Sequence, residues 1–598
     1  NGQTGSAKRR GHGFVKIQER SASEGILGAM IAKGIEGIWQ TAKSAVGLAL
    51  GLVVWSGAWA QAELVVNTPD LSEATAMVED RSEKEGRDMV GIVLPAQADF
   101  FELADRAVVG GHEVWKLTVR AEGALGVNVY FDAFHVPAGA ELYFSSPESK
   151  FEETWVNGPV TSIENNDHGR WVNRDVPGDE VVMTYRAPVG LTEAATLQIS
   201  GVGYFARHMR YPEPWASAIE RGGAEACQVN VNCPEGDSWE CEKSAVVRLQ
   251  ITQNGGVYFC SGSMVNNTAL DCRQLLLSSF HCVNDVDEDE WAFLQVRFNY
   301  QGAECASTSS TFAPQRTGVI HLGDSNDIAG NGNISGSDFV LVEVEDNIPD
   351  SWNPFFAGWD ATGFSGNEGV GIHHPSGDLK KISSFSNSLS NSNAYAIGAH
   401  WRVTWSPTET NHGVTEGGSS GSPIFDENHR ILGTLTGGAS FCSSPYAPDY
   451  YGKMSYHWDG SNPTPASQKL NVLLDPAGTG EERLDGSYRD VAEDGTVTCD
   501  AFDACEATAV EDAFLSGLTV APNPTTGRID VHIPEGHALV KVQIFDAMGR
   551  MLEVQEGAAV LGRLSLDLQA WGEGMRYLTL TSGEGWSTTR KVLVSGAK

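Results

Sequence analysis

The sequence predicts a mainly β protein that is built from several domains. A chain of 598 residues is too long for one hydrophobic core, and an apolar fraction of 41% argues against a largely disordered chain. Segments that alternate apolar and polar residues, as half-buried strands do, recur at 112–119, 127–131 and 337–344. The formal charge of −36 disfavours nucleic acid and anionic membranes as partners and is typical of a soluble secreted protein.

The first element is an export signal, which we place at residues 1–60. An apolar stretch at 45–55 follows lysines and ends in Ala58-Trp59-Ala60, a small-x-small cleavage site. A transmembrane helix is the alternative, but the apolar core is short and interrupted by glycine. Met30 would start a signal of ordinary length, so we expect the residues before it to be an over-extended start.

Residues 61–221 form the second predicted element, a compact β domain. Its alternating segments are separated by turns that contain glycine and proline. It contains no catalytic constellation, so we interpret it as a propeptide. A carbohydrate-binding or adhesive β-sandwich is the alternative, and the two interpretations differ in whether the segment survives in the mature secreted protein.

The third element carries the residues for nucleophilic catalysis. Small residues surround Ser420 in the run 417–423, which lets the backbone amides turn toward a developing oxyanion. A serine needs a general base that is oriented by a third group. His281 follows an apolar run, and Asp338 stands at the start of a strand-like segment. The chain order His281, Asp338, Ser420 is that of the chymotrypsin-type double β-barrel, and it differs from the order in subtilisin and the α/β-hydrolases.

Several separated motifs make the region from about 222 to 490 resemble the bacterial lysyl endopeptidases of the trypsin-like family. The motifs lie at 227–237, 262–268, 357–360, 372–375 and 413–424. The resemblance implies a chymotrypsin-like double β-barrel catalytic domain over 222–490. It makes Ser420 the nucleophile, His281 the base and then the acid, and Asp338 the orienting group. The backbone amides of Gly418 and Ser420 would form the oxyanion hole.

The resemblance also implies how the substrate is selected. Asp449 matches an aspartate that lines the primary specificity pocket, where it would complement a lysine side chain; a solvent-facing loop aspartate is the alternative. The backbone of Thr436, Gly437 and Gly438 would pair with the substrate as a strand. Trp405 fits a tryptophan that stacks beside the catalytic histidine in the family. The chain departs from the family at Thr436, where a partner histidine is expected.

Activation is expected to differ from that of ordinary trypsins. The residue before the nucleophile is Ser419 rather than aspartate, so a newly freed amino terminus could not form the usual salt bridge there. We therefore expect the N-terminal segment to be a folding aid or a steric cover in this zymogen. Its release is predicted near Arg221-Gly222, where the resemblance to mature family members begins.

The ten cysteines all lie at or after Cys227, and an even number in an exported chain favours disulfides. The family pattern implies three bonds, which pair Cys227 with Cys442, Cys233 with Cys305, and Cys260 with Cys282. For the remaining cysteines we suggest Cys241 with Cys272 and Cys499 with Cys505. No spacing is that of a zinc site, and His373, His374 and His412 have no carboxylate or cysteine at ligand spacing. No metal and no cofactor are therefore expected.

The last elements are a linker at 491–512 and a small β-sandwich at 513–598. The linker is acidic and rich in small residues. The segments 518–527, 542–550 and 591–594 resemble the C-terminal sorting domain of the type IX secretion system of Bacteroidetes. This resemblance implies an encounter with the type IX secretion machinery, passage across the outer membrane, and then release or attachment to the cell surface.

Together these observations predict a secreted serine endopeptidase that hydrolyses peptide bonds after lysine through an acyl-enzyme. Specificity for arginine, or for both basic residues, is one alternative. An inactive protease-like surface adhesin is another. Protein or peptide substrates are the expected partners, and we expect a monomer without nucleic acid and without stable membrane insertion.

Overall fold

The structure, a computed structural model, describes three β-rich parts of the molecule. We call them the N-terminal unit (62–207), the central unit (223–501) and the C-terminal unit (518–595). The described residues are 62–147, 157–207, 223–310, 313–327, 334–461, 465–491, 497–501, 518–523, 525–533, 538–546, 551–572, 574–582 and 587–595. The predicted export signal, the predicted cleavage point at Arg221-Gly222, and Cys505 lie outside the described residues.

The N-terminal unit packs two sheets and one long helix around a common core. Its helix α1 begins after Asp70, whose side chain accepts a hydrogen bond from the Ser72 amide at 2.9 Å, and ends at Gly86, whose φ of 64° only glycine adopts without cost. The elements are β1 Glu63–Val65, α1 Leu71–Glu85, β2 Asp88–Asp99, α2 Phe100–Leu103, β3 Asp105–Val109, β4 His112–Arg120, β5 Gly126–His135, β6 Glu141–Ser145, β7 Asn157–Val160, β8 Trp171–Val172, β9 Val176–Pro177, β10 Glu180–Pro188 and β11 Thr196–Phe205.

The central unit contains twenty strands and three short helices among the described residues. They are β12 Val229–Asn230, α3 Glu240–Ala245, β13 Val246–Gln253, β14 Gly256–Met264, β15 Leu275–Ser278, β16 Gln295–Arg297, β17 Gln315–Thr317, β18 Val319–Asp324, β19 Val340–Val344, β20 Phe355–Phe356, β21 Gly358–Asp360, β22 Gly369–His373, β23 Lys381–Phe385, β24 Ser390–Ser392, β25 His400–Val403, β26 Pro423–Asp426, β27 Arg430–Gly438, β28 Asp449–Lys453, α4 Met454–Asp459, α5 Leu470–Leu474, β29 Arg483–Leu484, β30 Ser487–Val491 and β31 Val497–Ala501. Part of the predicted linker is thus structured, because β31 pairs with β30.

Two antiparallel sheets of the central unit correspond to the two predicted barrels. In the first, β13, β14, β15, β19 and β18 pair in succession. In the second, the order is β12-β23-β22-β26-β27-β28-β25-β24. The first sheet carries His281 and Asp338 on the loops beside its strands, and the second carries Ser420 and Asp449. The prediction of a mainly β protein with a chymotrypsin-like centre is confirmed.

One sheet crosses from the N-terminal unit into the central unit. Strand β2 pairs with β11 on one edge and with β14 on the other. The sheet therefore continues without a break from β5 of the N-terminal unit to β17 of the central unit. Every residue of β13 and β14 in this sheet is buried.

The C-terminal unit consists of a three-stranded and a four-stranded sheet around an apolar core. Its strands are β32 Thr519–Ala521, β33 Arg528–His532, β34 Ala538–Asp546, β35 Met551–Leu561, β36 Arg563–Asp567, β37 Gly574–Ser582 and β38 Ser587–Val594. Inward-facing Ile529 and Val531 of β33 alternate with polar neighbours, as a half-buried strand requires.

Four of the five lysines of the described part of the central unit lie inside it. Lysine is rarely buried, because its ammonium group loses hydration. Yet Lys243, Lys380, Lys381 and Lys453 are exposed by 1%, 0%, 6% and 7%. Each ammonium group has a polar partner; that of Lys243, for example, pairs with Glu240 at 2.5 Å. The remaining lysine between residues 223 and 491, Lys469, is half-buried.

Candidate active site

Strand pairing brings His281 and Asp338 together. His281 follows β15 in a short 3-10 turn, Phe280–Cys282, and Asp338 lies two residues before β19, which pairs with β15. His281 Nδ1 lies 2.7 Å from Asp338 Oδ2, and the His281 amide donates to Oδ1 at 2.8 Å. This double contact fixes the ring. His281 Nε2, the nitrogen that would serve as the base, has no hydrogen-bond partner among the described residues.

Asp338 is held in an unusual backbone conformation. Its φ is +67°, a left-handed value that costs a non-glycine residue free energy. The Asp338 amide donates to Asp327 Oδ2 at 2.8 Å, and Ser325 donates to the other oxygen of Asp327 at 2.7 Å. Burial, and then the negative charge of Asp338, raise the pKa of Asp327 to about 6. Asp327 therefore holds the backbone of Asp338 in place, a contact that no motif in the sequence indicated.

The loop that carries Ser420 depends on two glycines. Gly418 and Gly421 have φ of +85° and +80°, and a Cβ at Gly421 would lie 2.1 Å from Ser278 Oγ. The Ser420 carbonyl accepts a hydrogen bond from the Ser261 amide at 2.8 Å. Among the described residues, the amides of Gly418 and Ser420 have no acceptor. They are therefore free to donate to a bound group, and the oxyanion hole at these two positions stays a prediction.

Ser419 is held by a buried histidine. His373 Nδ1 lies 2.8 Å from Ser419 Oγ, and its Nε2 lies 3.2 Å from Ser383 Oγ. Burial lowers the pKa of His373 to about 3, so the ring is neutral and can accept the Ser419 proton. The Glu416 amide also donates to Ser419 Oγ, at 3.2 Å. A neutral hydrogen-bond chain thus replaces the salt bridge of ordinary trypsins, and the expected structural role of His373 agrees with this geometry.

The Asp449 carboxylate is fully buried at the start of β28, so it is not a solvent-facing loop residue. Its Oδ2 accepts from Trp405 Nε1 at 2.6 Å, Thr415 Oγ1 at 2.7 Å and Ser440 Oγ at 2.6 Å. Its Oδ1 accepts only from the Ser440 amide, at 3.0 Å. No cationic side chain among the described residues pairs with it. The arrangement stabilises a negative charge and leaves Oδ1 able to accept another donor.

Gly437 and Gly438 end strand β27 beside this carboxylate. Gly438 pairs with Asp449 across the sheet, and a Cβ at Gly438 would lie 1.8 Å from Asp449 Oδ1. Gly438 is exposed. Any side chain at position 438 would therefore overlap with Oδ1, so this position requires a glycine. Thr436 is the third residue whose backbone is predicted to pair with the substrate. Its hydroxyl oxygen lies 3.0 Å from His400 Nε2.

Trp405 lies beside the Asp449 carboxylate. Besides the hydrogen bond to Asp449, its ring packs edge-on against the ring of Tyr451, with 6.1 Å between the ring centroids. None of its described contacts is with His281, so the structure gives it a different place from the one the family resemblance implied. The aromatic side chain near the triad is Tyr395, which sequence reasoning missed. Its ring centroid lies 5.0 Å from that of His400 and 5.8 Å from that of Tyr450. Desolvation of its hydroxyl, followed by the charges of Asp338 and Asp449, raises the pKa of Tyr395 to about 12.

The disulfides confirm one set of predictions and correct another. Cys227 with Cys442, Cys233 with Cys305, and Cys260 with Cys282 are present. The suggested pairs Cys241 with Cys272 and Cys499 with Cys505 are wrong, because Cys272 bonds Cys499. The β31 strand brings Cys499 back to the first barrel, where the Cys499 amide donates to the Leu270 carbonyl at 3.0 Å. Cys241 is also disulfide-bonded.

The other candidate ligand residues have structural surroundings. His374 is buried, and its Nδ1 lies 2.9 Å from the Asp378 carbonyl oxygen. His412 is buried beside the Gly413 carbonyl at 3.0 Å. A group of Glu225, Glu416 and Cys442 has the spacing of metal ligands, but the Cys442 sulfur is already bonded to Cys227. No helix in the described ranges has both the length and the apolar character needed to span a bilayer.

Comparisons with known proteins agree with the two resemblances. The family profile described as lysyl endopeptidase, C-terminal domain, matches residues 221–452, and that of the secretion system C-terminal sorting domain matches residues 519–595. A lysyl endopeptidase of Pseudomonas aeruginosa is 29% identical over 300 residues. The match spans 47% of this chain and 60% of that relative's length. The sorting domain marks the chain as a secreted or cell-surface protein.

Solved structures of serine proteases are also similar. A thermostable serine protease AL20 from an extremophilic microorganism is 14% identical, with a TM-score of 0.25; the match covers 36% of this chain and 93% of that one. A Glu endopeptidase is 18% identical, with a TM-score of 0.23, over 40% of this chain and 93% of that one.

Proposed function

We propose that the central unit is a secreted serine endopeptidase that hydrolyses peptide bonds after lysine through an acyl-enzyme. The observation that carries the proposal is the pair of buried carboxylates. One of them, Asp338, orients a histidine with a free Nε2. The other, Asp449, is buried without a cation among the described residues and lies beside Gly438, where a Cβ would come within 1.8 Å of its Oδ1.

The first step of the reaction follows from the His281 pair. His281 Nε2 takes the proton of the Ser420 hydroxyl while Oγ attacks the carbonyl carbon of the scissile bond. The oxyanion then receives hydrogen bonds from the Gly418 and Ser420 amides, each worth about 3 kcal/mol in the transition state. Asp338 stabilises the imidazolium that forms, because its carboxylate accepts the Nδ1 proton. The imidazolium gives its proton to the leaving amine, and water hydrolyses the acyl-enzyme in the same sequence.

Selection of the side chain before the scissile bond follows from Asp449. Three neutral donors hold Oδ2, so the carboxylate is fixed in place and stays charged without a cation. A substrate ammonium group at Oδ1 would supply the missing positive charge in a site shielded from water, where an unpaired charge is costly. A compact ammonium group binds as a point charge and can pair with a single carboxylate oxygen, whereas a guanidinium group pairs best with both oxygens, and Oδ2 already accepts three hydrogen bonds. These points favour lysine over arginine.

Export is the remaining part of the proposal. The sorting domain supports an encounter with the type IX secretion machinery. Protein or peptide chains outside the cell would then be the substrates.

The test of specificity is the set of bonds cut in a denatured protein mixture by the mature enzyme, followed by paired lysyl and arginyl peptides. We expect cleavage after lysine. Asp449→Asn should lower kcat/KM for the lysyl peptide about 100-fold or more, while Asp459→Asn, at an exposed aspartate of α4, should leave it unchanged. Equal cleavage of both peptides, unaffected by Asp449→Asn, would refute the lysine preference.

The test of the nucleophile uses a fluorophosphonate, which reacts covalently with activated serines. We expect Ser420→Ala to abolish labelling and the adjacent Ser419→Ala to retain it. Labelling that persists in Ser420→Ala would exclude the proposed mechanism. A correctly processed protein that neither labels nor cleaves any peptide would favour a protease-like surface adhesin.

A further inference from the structure

The N-terminal unit has an open cavity of about 210 Å³ at the border of its apolar core. The cavity lies between α2, β4, β10 and the segment that joins β10 to β11. One water needs roughly 10–15 Å³ of such space, so there is room for a small organic group. The described side-chain contacts of its aromatic rings and carboxylates stay within the N-terminal unit. The cavity is therefore separate from the candidate active site.

Three aromatic rings form the walls of the cavity. Trp115 of β4 and Tyr185 of β10 are directly opposite each other in an antiparallel pair, so both side chains leave the sheet on the same side. The centroid of the Phe101 ring, in α2, lies 5.2 Å from that of Trp115 and 5.1 Å from that of Tyr185. The plane of Phe101 makes angles of 88° and 90° with the other two. Aromatic rings grouped around one space are how proteins hold organic cations.

The charge around the cavity is negative. Glu113 stands two residues before Trp115 in β4, and therefore on the same side of the sheet. Glu193 lies in the segment after β10. The described residues that line the cavity include these two carboxylates and no basic side chain. Burial, followed by the charges of Glu113 and Glu193, raises the pKa of Tyr185 to about 12, so the field of the two glutamates reaches the Tyr185 hydroxyl.

The chain already places a cation against one of these rings. The guanidinium carbon of Arg106 lies 5.2 Å from the centroid of the Trp115 ring, and its Nη2 donates to Glu113 at 2.6 Å. Arg106 is not among the residues that line the cavity, and its side chain is half exposed. Glu193 pairs with His135 at 2.8 Å, and both of these side chains are also exposed. Surface pairs of this kind are weak, so both glutamates still attract a second cation inside the cavity.

One wall carries a polar atom without a partner. Tyr185 is 4% exposed, and its hydroxyl has no hydrogen-bond partner among the described residues. Buried hydroxyl groups usually have one, because the loss of hydration is costly. A group that enters the cavity would meet this oxygen, whose lone pairs add to the negative character of the site.

The scarcity of acceptors indicates which type of cation fits. A primary ammonium group brings three N–H donors that each need an acceptor, but Glu113 and Glu193 already have partners in Arg106 and His135. A quaternary ammonium group has no N–H donor, and its methyl groups bind to the faces of aromatic rings. The cavity offers more ring surface than free acceptors, which favours the quaternary group.

We propose that this cavity binds a small quaternary ammonium compound. Its N-methyl groups contact the rings of Phe101, Trp115 and Tyr185, and Glu113 and Glu193 supply the opposite charge. These glutamates would repel an anionic group beside the cation, so the ligand is a free choline-like compound rather than a phosphocholine. The inference does not depend on the proposed function, and it adds a binding site to a unit otherwise interpreted as a propeptide.

Isothermal titration calorimetry on the full-length Ser420→Ala chain tests the type of ligand without any influence of catalysis. The probes are choline, its primary-amine counterpart ethanolamine, its uncharged analogue 3,3-dimethylbutan-1-ol, and phosphocholine. We expect one saturable site for choline, and binding of the other three that is at least tenfold weaker. A neutral disaccharide should not bind.

Several results of this titration would overturn the proposal. Equal binding of choline and the alcohol would show an apolar pocket without selection for charge. Binding of ethanolamine, phosphocholine or the disaccharide as tight as that of choline would show a different class of ligand. Absence of choline binding would exclude the site altogether.

Two variants assign the binding to this cavity. Trp115→Leu removes the indole face and should weaken choline binding at least tenfold, with the fold checked by circular dichroism. Glu193→Gln, at an exposed residue, should weaken choline binding about threefold and leave the alcohol unchanged. Glu83→Gln, at an exposed glutamate of α1, is the matched control. Choline binding that ignores Glu193→Gln, or that Glu83→Gln weakens equally, would overturn the assignment to this cavity.

Discussion

Asp338 and Asp449 are both fully buried carboxylates of the central unit, yet their surroundings are opposite. Asp338 accepts from a histidine, a group that gains and loses a proton. Asp449 accepts only from groups that stay neutral, namely an indole, two hydroxyls and an amide. The first carboxylate has its partner within the chain, and the second lacks a cationic one among the described residues.

Under the proposed function, the same kind of side chain would support two tasks. A carboxylate beside a histidine stabilises a charge that appears only during the reaction, so its contribution is to kcat. A carboxylate held by neutral donors gains a positive counter-charge only when the substrate binds, so it contributes to binding and selection. The predictions below separate the two contributions.

Asp338→Asn should have the largest effect. The amide can present its NH₂ group to His281 Nδ1 and stabilise the wrong tautomer, so kcat should fall about 10⁴-fold with KM little changed. Steady-state kinetics with a lysyl peptide measure both constants, and Asp237→Asn, at an exposed aspartate, is the matched control. An unchanged kcat would show that Asp338 does not orient the base.

Gly438→Ala should mainly impair binding at the Asp449 carboxylate. Because its Cβ would lie 1.8 Å from Asp449 Oδ1, the path of the lysine side chain closes, and kcat/KM should fall roughly 1000-fold, or about 4 kcal/mol. At the neighbouring Gly437, a Cβ would meet only the Tyr395 hydroxyl, at 2.7 Å, so Gly437→Ala should cost less. Fluorophosphonate labelling of both variants should persist; its loss in Gly438→Ala would mean that the triad was disturbed as well.

The pH dependence of the unfolding free energy tests the surroundings of Asp338, through its neighbour Asp327. Its pKa is raised by burial and by Asp338 to about 6, from an ordinary value of 3.8. The folded protein therefore binds the proton more tightly than the unfolded chain, and this stabilisation is lost as pH rises from about 4 through 6. The unfolding free energy of the unsubstituted protein, relative to Asp327→Asn, should fall by about 3 kcal/mol over that range. Denaturant titrations at several pH values measure it, and a constant difference would contradict it.

Trp405→Phe should have the smallest effect. It removes one of three donors to Asp449 Oδ2 and keeps an aromatic ring in the core, so kcat/KM for lysyl peptides should fall about tenfold. Trp401→Phe is the control, because the Trp401 indole donates to the Leu432 carbonyl at 3.1 Å instead. If Trp405→Phe slowed labelling of Ser420 more than lysine binding, Trp405 would act on the triad after all.

Much of the site was predictable because it is encoded in short motifs. The order of His281, Asp338 and Ser420 indicated the fold, and the surrounding segments gave Asp449 and three disulfides. The partners of these residues were harder to predict. Asp327 and Ser440 are ordinary polar residues in loops, and only the folded chain brings them to the carboxylates that they support.

The errors concern residues that are distant in sequence. Cys499 was assigned to its near neighbour, but β31 carries it back to Cys272, across a separation of 227 residues. The pairing of β2 with β14 was also invisible, since an alternating strand shows which face is buried and not which strand lies at its edge. For Trp405, the motif gave the position in the chain correctly but could not give the direction of the ring.

The buried lysines of the central unit bear on self-digestion. At high concentration, every endopeptidase molecule meets other copies of itself that it could cut. Cleavage requires an extended segment in the active site, and a lysine with an exposure of 0% to 7% cannot enter one unless the fold opens locally. Arg402 and Arg483, by contrast, are exposed on the same unit. Among the described residues of the central unit, an enzyme that cut only after lysine would find the half-buried Lys469 alone near the surface, whereas one that also accepted arginine would find further targets there.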